Sequence, residues 1–242
     1  MIHFLTFGTP DYKKQLDRIS KEAELFNCFD SITAASTSDL DTEFLERHLS
    51  FMEHNRRGYG FWIWKPQIVL QTLRKMNDDD ILVYADSGCN MNYHGKQRFM
   101  EYIDIAKNKS KTGIVCFQMP PHLEKSYTKR AIFNFLKAHE YENYFQIHAT
   151  SFIIRKNSNS MNLVTDWSNM SQLYQYIDEH DRQQQIPEFI DFRHDQSIWS
   201  ILNRKYGSHV INTDETYPPN QNIMPIWGSR IRKDMESPYK FY

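Results

Sequence analysis

The sequence predicts an α/β protein made of a single domain, residues 1–242, and two observations support that prediction. Short apolar runs alternate along the chain with amphipathic segments of helical period, which is the pattern of strands connected by helices. The chain has 242 residues, of which 40% are hydrophobic and 14% aromatic, and no repeat or low-complexity linker divides it. A chain of this length and composition can bury one large core.

The first half of the chain begins and ends with a predicted buried strand. The strand IHFLTF is ended by Gly8 and Pro10. The strand ILVYA follows a polar segment and ends at Asp86. Apolar residues recur at helical spacing between these two strands. The predicted elements are strands at 2–7, 31–36 and 81–85 and helices at 12–26, 40–52 and 62–76.

The second half of the chain continues the alternation and ends in a tail. Pro120 and Pro121 end the strand GIVCFQM, Ser126 or Thr128 lies near the N-cap of the next helix, and Gly207 closes the last helix. The predicted elements are strands at 113–119 and 146–156 and helices at 96–106, 126–139, 161–177 and 194–206. The tail, 218–242, is predicted to be irregular and to pack on the domain.

Charge and cysteine content exclude several classes of protein. Lys and Arg total 29 against 30 Asp and Glu, so the chain has no strong field for nucleic acid or an anionic membrane, and an anionic ligand needs a local basic site. Cys28, Cys89 and Cys116 lack a CxxC spacing, which favours core thiols over a zinc site or a disulfide framework. The start MIHFLTFG has no signal-peptide pattern and no long apolar stretch follows, so we expect no membrane span and a cytoplasmic protein, in the host cytoplasm if it is viral.

Asp86, Ser87 and Gly88 stand where the strand ILVYA ends. In an open α/β sheet, ligands bind beyond the carboxyl ends of the strands, where a carboxylate can bind Mg²⁺ or Mn²⁺ and a glycine lets the backbone approach a ligand. Such residues also form hydrogen-bonded turns, and taken alone they favour that structural role. The aspartates at 78–80 precede the strand, so we expect them at its opposite end as a solvated acidic turn.

GYGFWIWKPQIVLQTL followed by DDDILVYADSGC resembles sugar-nucleotide-dependent glycosyltransferases of the GT-A fold, in particular a group found in bacterial capsule gene clusters and large DNA viruses. The resemblance extends from about Thr6 to Tyr206 and implies a mixed central sheet flanked by helices. In that fold a helix with substrate contacts precedes a strand that ends in a DxD motif. Asp86 matches the first carboxylate and is the implied Mn²⁺ or Mg²⁺ ligand, whereas Gly88 takes the place of the second, so the other metal ligands stay open.

HDQSIWSIL, from His194 to Leu202, is a second point of resemblance. Retaining GT-A enzymes of the glycogenin and lipopolysaccharide-galactosyltransferase type carry a DQ pair at the start of a late helix. The resemblance implies that Asp195 binds hydroxyls of the donor sugar and that the amide of Gln196 lies near the reacting anomeric carbon. An aspartate at a helix start is also stabilised by the free N–H groups there, and the two roles are compatible.

Two strands carry further contacts that the resemblance implies. QIHATSFIIRKN resembles the strand that contacts the sugars, which places His148 at the donor site. Gln146 and His148 share one face of that strand, so either side chain could instead face solvent. In that fold the backbone at the end of the first strand contacts the nucleotide, so the resemblance implies this contact for Thr6 and Phe7 on the basis of their position in the chain.

A donor diphosphate needs positive charge close to it. Arg56 and Arg57 precede GYGFWIWKP and Lys65 lies within it, where the related enzymes place a basic residue against the donor. Arg230, in WGSRIRKD, resembles a C-terminal segment that folds over the diphosphate, although a solvated basic tail would explain the same residues.

The residues and the resemblance together predict a metal-dependent enzyme that transfers a sugar from a UDP-sugar to a carbohydrate acceptor, with retention of configuration. An inverting enzyme would need a general base, for which Asp191 or His194 is the candidate. A nucleotidyltransferase or sugar-nucleotide pyrophosphorylase stays open, although the single glycine of LTFGTPDYKK argues against it. A non-catalytic carbohydrate-binding protein also stays open because of Gly88. No protein partner is indicated.

Overall fold

The structure, a computed structural model, describes residues 1–217 and 221–237. Its strands are β1 (Ile2–Phe7), β2 (Ser31–Ala35), β3 (Ile81–Ala85), β4 (Asn90–Met91), β5 (Ile114–Leu123), β6 (Phe145–Ile147), β7 (Ser151–Arg155), β8 (His209–Ile211) and β9 (Ile226–Trp227). Its helices are α1 (Lys13–Phe26), α2 (Thr42–His54), α3 (Gly58–Phe61), α4 (Trp64–Lys75), α5 (Lys96–Asp104), α6 (Glu124–Tyr127), α7 (Arg130–Leu136), α8 (Ser158–Ser171) and α9 (His194–Tyr206).

The main sheet has the strand order β2-β1-β3-β7-β5-β6, and β8 also pairs with β5. β1 is parallel to β2 and β3, and β8 is parallel to β5. β7 is antiparallel to β3 and β5, and β6 is antiparallel to β5. A separate two-stranded sheet joins β4 to β9. The mixed sheet that the resemblance implied is therefore confirmed.

β3 illustrates how the sequence produces this sheet. All 5 residues of ILVYA are buried. Leu82 and Tyr84 pack into a core shared with α2, α4, α8 and α9, whereas Ile81 and Val83 pack into a second core shared with α1 and α5. Because successive residues of a strand face opposite sides, a strand that helices cover on both faces has a continuous apolar sequence. The carboxyl end of β3 is the point where this apolar run gives way to Asp86.

The prediction that two prolines end the strand GIVCFQM was wrong. β5 continues through Pro120 and Pro121 to Leu123, where it pairs with β6. The register between β5 and β6 shifts between Gln118 and Leu123, so the prolines stand in an irregular stretch of the ladder. Proline is tolerated in a strand where the ladder needs no N–H donor.

The predicted helix at 126–139 is instead two short helices, α6 and α7. Neither Ser126 nor Thr128 is an N-cap, because the Thr128 hydroxyl donates to Glu124 Oε2 at 2.6 Å and the two helices begin after Leu123 and Lys129. The chain between them is extended at Thr128.

The predicted strand at 146–156 is also interrupted. β6 and β7 flank a turn at 148–150, and the carbonyl of Thr150 accepts the N–H of Asp86 at 2.9 Å. Gln146 and His148 are both buried, so neither faces solvent. The interruption brings the turn against the end of β3, where the candidate site lies.

Three smaller differences concern the ends of elements. The predicted helix at 161–177 is α8, which Asn157 caps through the N–H of Ser160 at 2.9 Å, followed by a separate 3₁₀ turn. Asp80 is buried rather than solvated, because it accepts the N–H of Asn77 at 3.0 Å and contacts His3 Nε2 at 3.3 Å. The tail contains the strand β9, and its residues 218–220 and 238–242 lie outside the described residues.

Candidate active site

The candidate site lies where the carboxyl end of β3 meets the turn at 148–150 and the first turn of α9. The backbone of Ala149 joins the side chains that the sequence singled out. Its carbonyl accepts Lys65 Nζ at 3.0 Å, and its N–H donates to Gln196 Oε1 at 3.3 Å. The backbone N–H of Asp86 donates to the carbonyl of Thr150, the next residue of the same turn. The structure therefore brings together α4, β3 and α9 at one edge of the sheet.

Asp86 is held by two side chains. Its Oδ1 contacts Lys65 Nζ at 2.9 Å and accepts the Tyr84 hydroxyl at 2.8 Å. The Lys65 side chain is only 4% exposed, whereas the Asp86 side chain is 31% exposed and faces solvent. Burial alone would lower the pKa of Lys65, but Asp86 and Asp195 raise it above its ordinary value. The ammonium is therefore a fixed positive charge next to two carboxylates.

Asp195 is the most strongly perturbed carboxyl of this cluster. The residue is 3% exposed, and its Oδ2 is buried without a hydrogen-bond partner among the described residues. Burial raises the pKa of Asp195 to about 7, against the opposing effect of Lys65 and with a further contribution from Asp86. Its backbone carbonyl accepts Trp167 Nε1 at 2.9 Å, which anchors the start of α9 to the core. A buried carboxylate oxygen with no partner is a group that a ligand hydroxyl would satisfy.

Strained backbone positions Asp195. Residues 58–62 all have positive φ, and so does His194, with φ of 49°. The ring of Phe61 stacks on the ring of His194 at 4.7 Å, so the two left-handed segments contact each other. Left-handed conformations cost non-glycine residues roughly 1–3 kcal/mol each and persist where packing over-determines them, often at functional sites. RGYGFW is thus a structural support for the residue that precedes Asp195.

The turn after β3 is clamped from both sides. Arg18 Nη2 donates to the carbonyls of Ser87 and Cys89, each at 2.7 Å. Gly88 accepts the N–H of Ile231 at 3.0 Å, and a Cβ at Gly88 would lie 3.0 Å from the Ile231 carbonyl oxygen. The close approach of the C-terminal segment therefore explains why this position is a glycine rather than a second carboxylate.

The predicted metal site has a limited donor set. The described residues contain no group of three or more His, Cys, Asp and Glu side chains placed to hold a metal ion. Asp86 Oδ1 is engaged by Lys65 and Tyr84, which leaves Oδ2 as its oxygen for a ligand. Mg²⁺ in many nucleotide sites is bound through one or two carboxylates together with substrate phosphates and water. The residues thus fit a metal that binds together with a diphosphate, and the role of Asp86 as a metal ligand stays a prediction.

Thr6, Phe7 and Arg230 are further residues that are predicted to contact the donor. Thr6 is buried at the end of β1, and its Oγ1 has no partner in the part of the chain that the structure describes. Phe7 stacks on Trp64 at 4.0 Å. Arg230 lies over the ring of Tyr217 at 5.4 Å. Their predicted contacts with the nucleotide stay predictions.

His148 contacts the C-terminal part of the chain. Its ring stacks on Phe117 at 5.4 Å, and its Nε2 lies 3.5 Å from Asp214 Oδ1. Burial alone would raise the pKa of Asp214, but the neighbouring His148 lowers it. Both ring nitrogens of His148 are buried without a hydrogen-bond partner among the described residues, and its predicted contact with the donor stays a prediction.

The two arginines before GYGFWIWKP differ. Both are exposed, but Arg57 contacts Glu179 at 2.6 Å and Asp191 at 2.7 Å. The Arg57 guanidinium is thus already neutralised by two carboxylates. A role of either arginine in binding the donor stays a prediction.

Sequence reasoning missed several residues that shape the site. Tyr84 stands two residues before Asp86, so the period of a strand could have identified it as a partner of that carboxylate. Arg18 and Asp214 carried no local signal, because their contacts are made with distant parts of the chain.

The fold of this chain has a counterpart among solved structures. The chain is similar to the crystal structure of a glycosyltransferase involved in the glycosylation of the major capsid of PBCV-1, with a TM-score of 0.53 and 11% identity over 96% of this chain and 95% of that chain. This likeness shows the fold, so the predicted GT-A fold is confirmed.

Two further solved structures are more distant. Mouse xyloside xylosyltransferase 1, in its apo form, has a TM-score of 0.46 and 8% identity over 90% of this chain and 87% of that chain. Galactosyltransferase LgtC, in complex with donor and acceptor sugar analogs, has a TM-score of 0.44 and 12% identity over 90% of this chain and 74% of that chain. No protein-family model and no curated protein sequence matches this chain. No helix among the described residues is long and apolar enough to span a membrane.

Proposed function

We propose that this chain transfers a sugar from a UDP-sugar to a hydroxyl of a carbohydrate acceptor. The observation that carries the proposal is the convergence of Lys65, Asp86, Asp195 and Gln196 at the carboxyl end of β3, in a fold shared with a glycosyltransferase. Ligands of open α/β sheets bind at this edge. The enzyme reading is favoured over a non-catalytic binding protein because the cluster combines a buried ammonium with a carboxyl of perturbed pKa.

Different side chains of the cluster bind the sugar and the diphosphate of the donor. Asp195 accepts hydrogen bonds from hydroxyls of the sugar, which supply the missing partner of its buried Oδ2. Lys65 fixes Asp86 and offsets the charge of both carboxylates. Gln196 offers its amide to the sugar beside the turn at 148–150. These groups orient the anomeric carbon for attack by the acceptor hydroxyl.

In the reaction, the bond between the anomeric carbon and the diphosphate oxygen breaks, and the acceptor oxygen bonds to that carbon. We propose that the configuration is retained and that the departing phosphate oxygen accepts the acceptor's proton on the same face of the sugar. A Mn²⁺ or Mg²⁺ ion, when bound between Asp86 and the diphosphate, would neutralise charge on the leaving group.

Retention is supported by the state of the two candidate bases. Burial alone would raise the pKa of Asp191, but hydrogen bonds from Arg57 and Arg182 hold it well below its ordinary value. Burial lowers the pKa of His194 to about 4, and its Nδ1 contacts the carbonyl of Ile177 at 2.6 Å. Both groups are therefore weak bases that are engaged in contacts within the protein.

Titration calorimetry with UDP, GDP and CMP, with and without Mn²⁺, tests the proposal. We expect UDP to bind more tightly than the other nucleotides, with an affinity that Mn²⁺ raises and that Asp86→Asn lowers by about tenfold or more, the loss of one charged contact. Asp104→Asn, at an exposed position of α5, is the matched control and should bind like the wild type. Equal affinity for all three nucleotides would contradict the choice of a UDP-sugar. Equal affinity with and without Mn²⁺ would contradict the metal role.

A further inference from the structure

A buried glutamate lies behind the proposed catalytic amide. Glu124 is 0% exposed, at the first residue of α6. Its Oε1 accepts the Ser200 hydroxyl, and its Oε2 accepts the Thr128 hydroxyl at 2.6 Å and Gln146 Nε2 at 3.2 Å. Donors from α9, from β6 and from the chain that follows α6 therefore converge on one carboxylate.

The carboxylate fixes the orientation of two amides in series. The Thr128 hydroxyl accepts Gln146 Nε2 at 3.1 Å and the Ser200 hydroxyl accepts the N–H of Ile147 at 2.7 Å, so both hydroxyls give their own hydrogen to Glu124. The carboxyl oxygens therefore act as acceptors, and Gln146 presents its NH₂ group to Glu124. The carbonyl of Gln146 then points the other way, and its Oε1 accepts Gln196 Nε2 at 3.0 Å. The NH₂ group of Gln196 is thereby turned toward Gln146, and its carbonyl is turned away from it.

The opposite end of the Gln196 amide faces the donor side of the site. Its Oε1 accepts the N–H of Ala149 at 3.3 Å, and the carbonyl of Ala149 accepts Lys65 Nζ at 3.0 Å. Lys65 in turn contacts Asp86 at 2.9 Å. The carbonyl oxygen of Gln196, with its second lone pair, is therefore the end of the amide next to the carboxylate cluster.

We propose that Glu124 is a positioning residue, which acts through Gln146 to hold the carbonyl oxygen of Gln196 toward the anomeric carbon of the donor. This role rests on the proposed function. The N–H of Ala149 sets one end of the Gln196 amide, and Glu124 sets the other end through Gln146. Without the glutamate the Gln146 amide is free to reverse its polarity by a rotation about one bond, and Gln196 then loses the acceptor that holds its NH₂ group.

Glu124→Gln tests the role at nearly constant volume. Glutamine replaces one acceptor by a donor, so it cannot accept from Ser200 at one end and from Thr128 and Gln146 at the other. We expect kcat for hydrolysis of a UDP-sugar to fall by about tenfold or more, since a buried hydrogen-bonding group that is left without its partner is costly. The Kd for UDP should stay within about twofold of the wild-type value, because Gln196 is proposed to contact the sugar and not the nucleotide.

A double-mutant cycle separates positioning from a structural role. If Glu124 acts only through Gln196, Glu124→Gln should change kcat by less than about twofold in a Gln196→Ala background. Gln146→Leu removes the link while leaving the glutamate in place, and it should lower kcat as much as Glu124→Gln does. It also serves as the test if Glu124→Gln does not fold. Glu140→Gln, at an exposed position, is the matched control and should match the wild type.

The outcomes distinguish this role from the proposed function. An active wild type with unchanged kcat in Glu124→Gln, or an equal loss in the two backgrounds, would overturn the positioning role alone. A wild type that hydrolyses no nucleotide sugar would overturn the proposed function and this role with it.

Discussion

Asp195→Asn should make the protein more stable and less active, because the carboxylate is placed for a ligand rather than for the fold. Its Oδ2 is buried without a partner among the described residues, and its pKa is raised to about 7. Asparagine keeps the shape of the side chain and removes the charge. Lys65 keeps Asp86 as its counterion at 2.9 Å, so the substitution leaves no buried ammonium unpaired.

The size of the effect follows from the displaced pKa. A rise from 3.8 to about 7 means that ionisation of Asp195 costs the folded state on the order of 4 kcal/mol. Between these two pH values the folded chain holds a proton that the unfolded chain releases, so stability falls as the pH rises through this window. Asparagine avoids the charge but still needs hydrogen bonds, so we expect a gain of about 1–2 kcal/mol above pH ~7, or about 2–8 °C in the unfolding temperature.

Thermal unfolding of both proteins at pH ~5 and pH ~8 checks this expectation. The gain in unfolding temperature should be present at the higher pH and should shrink at the lower pH, where wild-type Asp195 carries a proton. Asp178→Asn is the matched control, for which we expect a lower unfolding temperature. Asp178 contacts the buried Lys129 at 2.7 Å, and the loss of this carboxylate should destabilise the fold. A lower unfolding temperature for Asp195→Asn at pH ~8 would refute the reasoning.

Three other substitutions test the surroundings of the cluster. Lys65→Met should lower the free energy of unfolding by about 3–5 kcal/mol near pH 8, because it leaves Asp86 and Asp195 without their cation. Denaturant titration measures this change, and an unchanged free energy of unfolding would contradict the stabilising role of the contact between Lys65 and Asp86. Gly88→Asp should destabilise the protein by about 1–3 kcal/mol, because the new Cβ would lie 3.0 Å from the backbone of Ile231. The substitution should not tighten Mn²⁺ binding, and tighter binding in calorimetry would contradict the crowding of this position by Ile231. Arg18→Met should weaken UDP binding by about tenfold, because it removes the hydrogen bonds of 2.7 Å from the guanidinium to the carbonyls of Ser87 and Cys89 in the turn after β3. An unchanged Kd for UDP would show that the turn does not need these hydrogen bonds.

Local patterns were sufficient to predict the parts of the site that lie at strand and helix ends. The apolar run before Asp86 and the place of Asp195 in the first turn of α9 follow from the period and the ends of single elements. Lys65 was identified because it lies in a segment with a recognisable resemblance. These three residues come together because the carboxyl end of a strand and the start of a helix meet at the same edge of the sheet.

Contacts between distant parts of the chain were beyond sequence reasoning. The reason for Gly88 is the approach of the backbone at Ile231, which no local pattern encodes. Glu124 carries no signal in the sequence, because its contacts are made with donors on α9 and β6. Pro120 and Pro121 predict the end of a strand, but β5 continues past them because its ladder with β6 is irregular at that point.

Release of UDP from a panel of UDP-sugars by the wild type, Asp195→Asn and Gln196→Ala tests the central claim most directly. We expect the wild type to hydrolyse at least one UDP-sugar slowly in the absence of an acceptor, and both variants to lose about a hundredfold or more of that rate while keeping the wild-type Kd for UDP. Wild-type rates in both variants, or no release of UDP from any sugar nucleotide by the wild type, would contradict the assignment of this cluster as the site of sugar transfer.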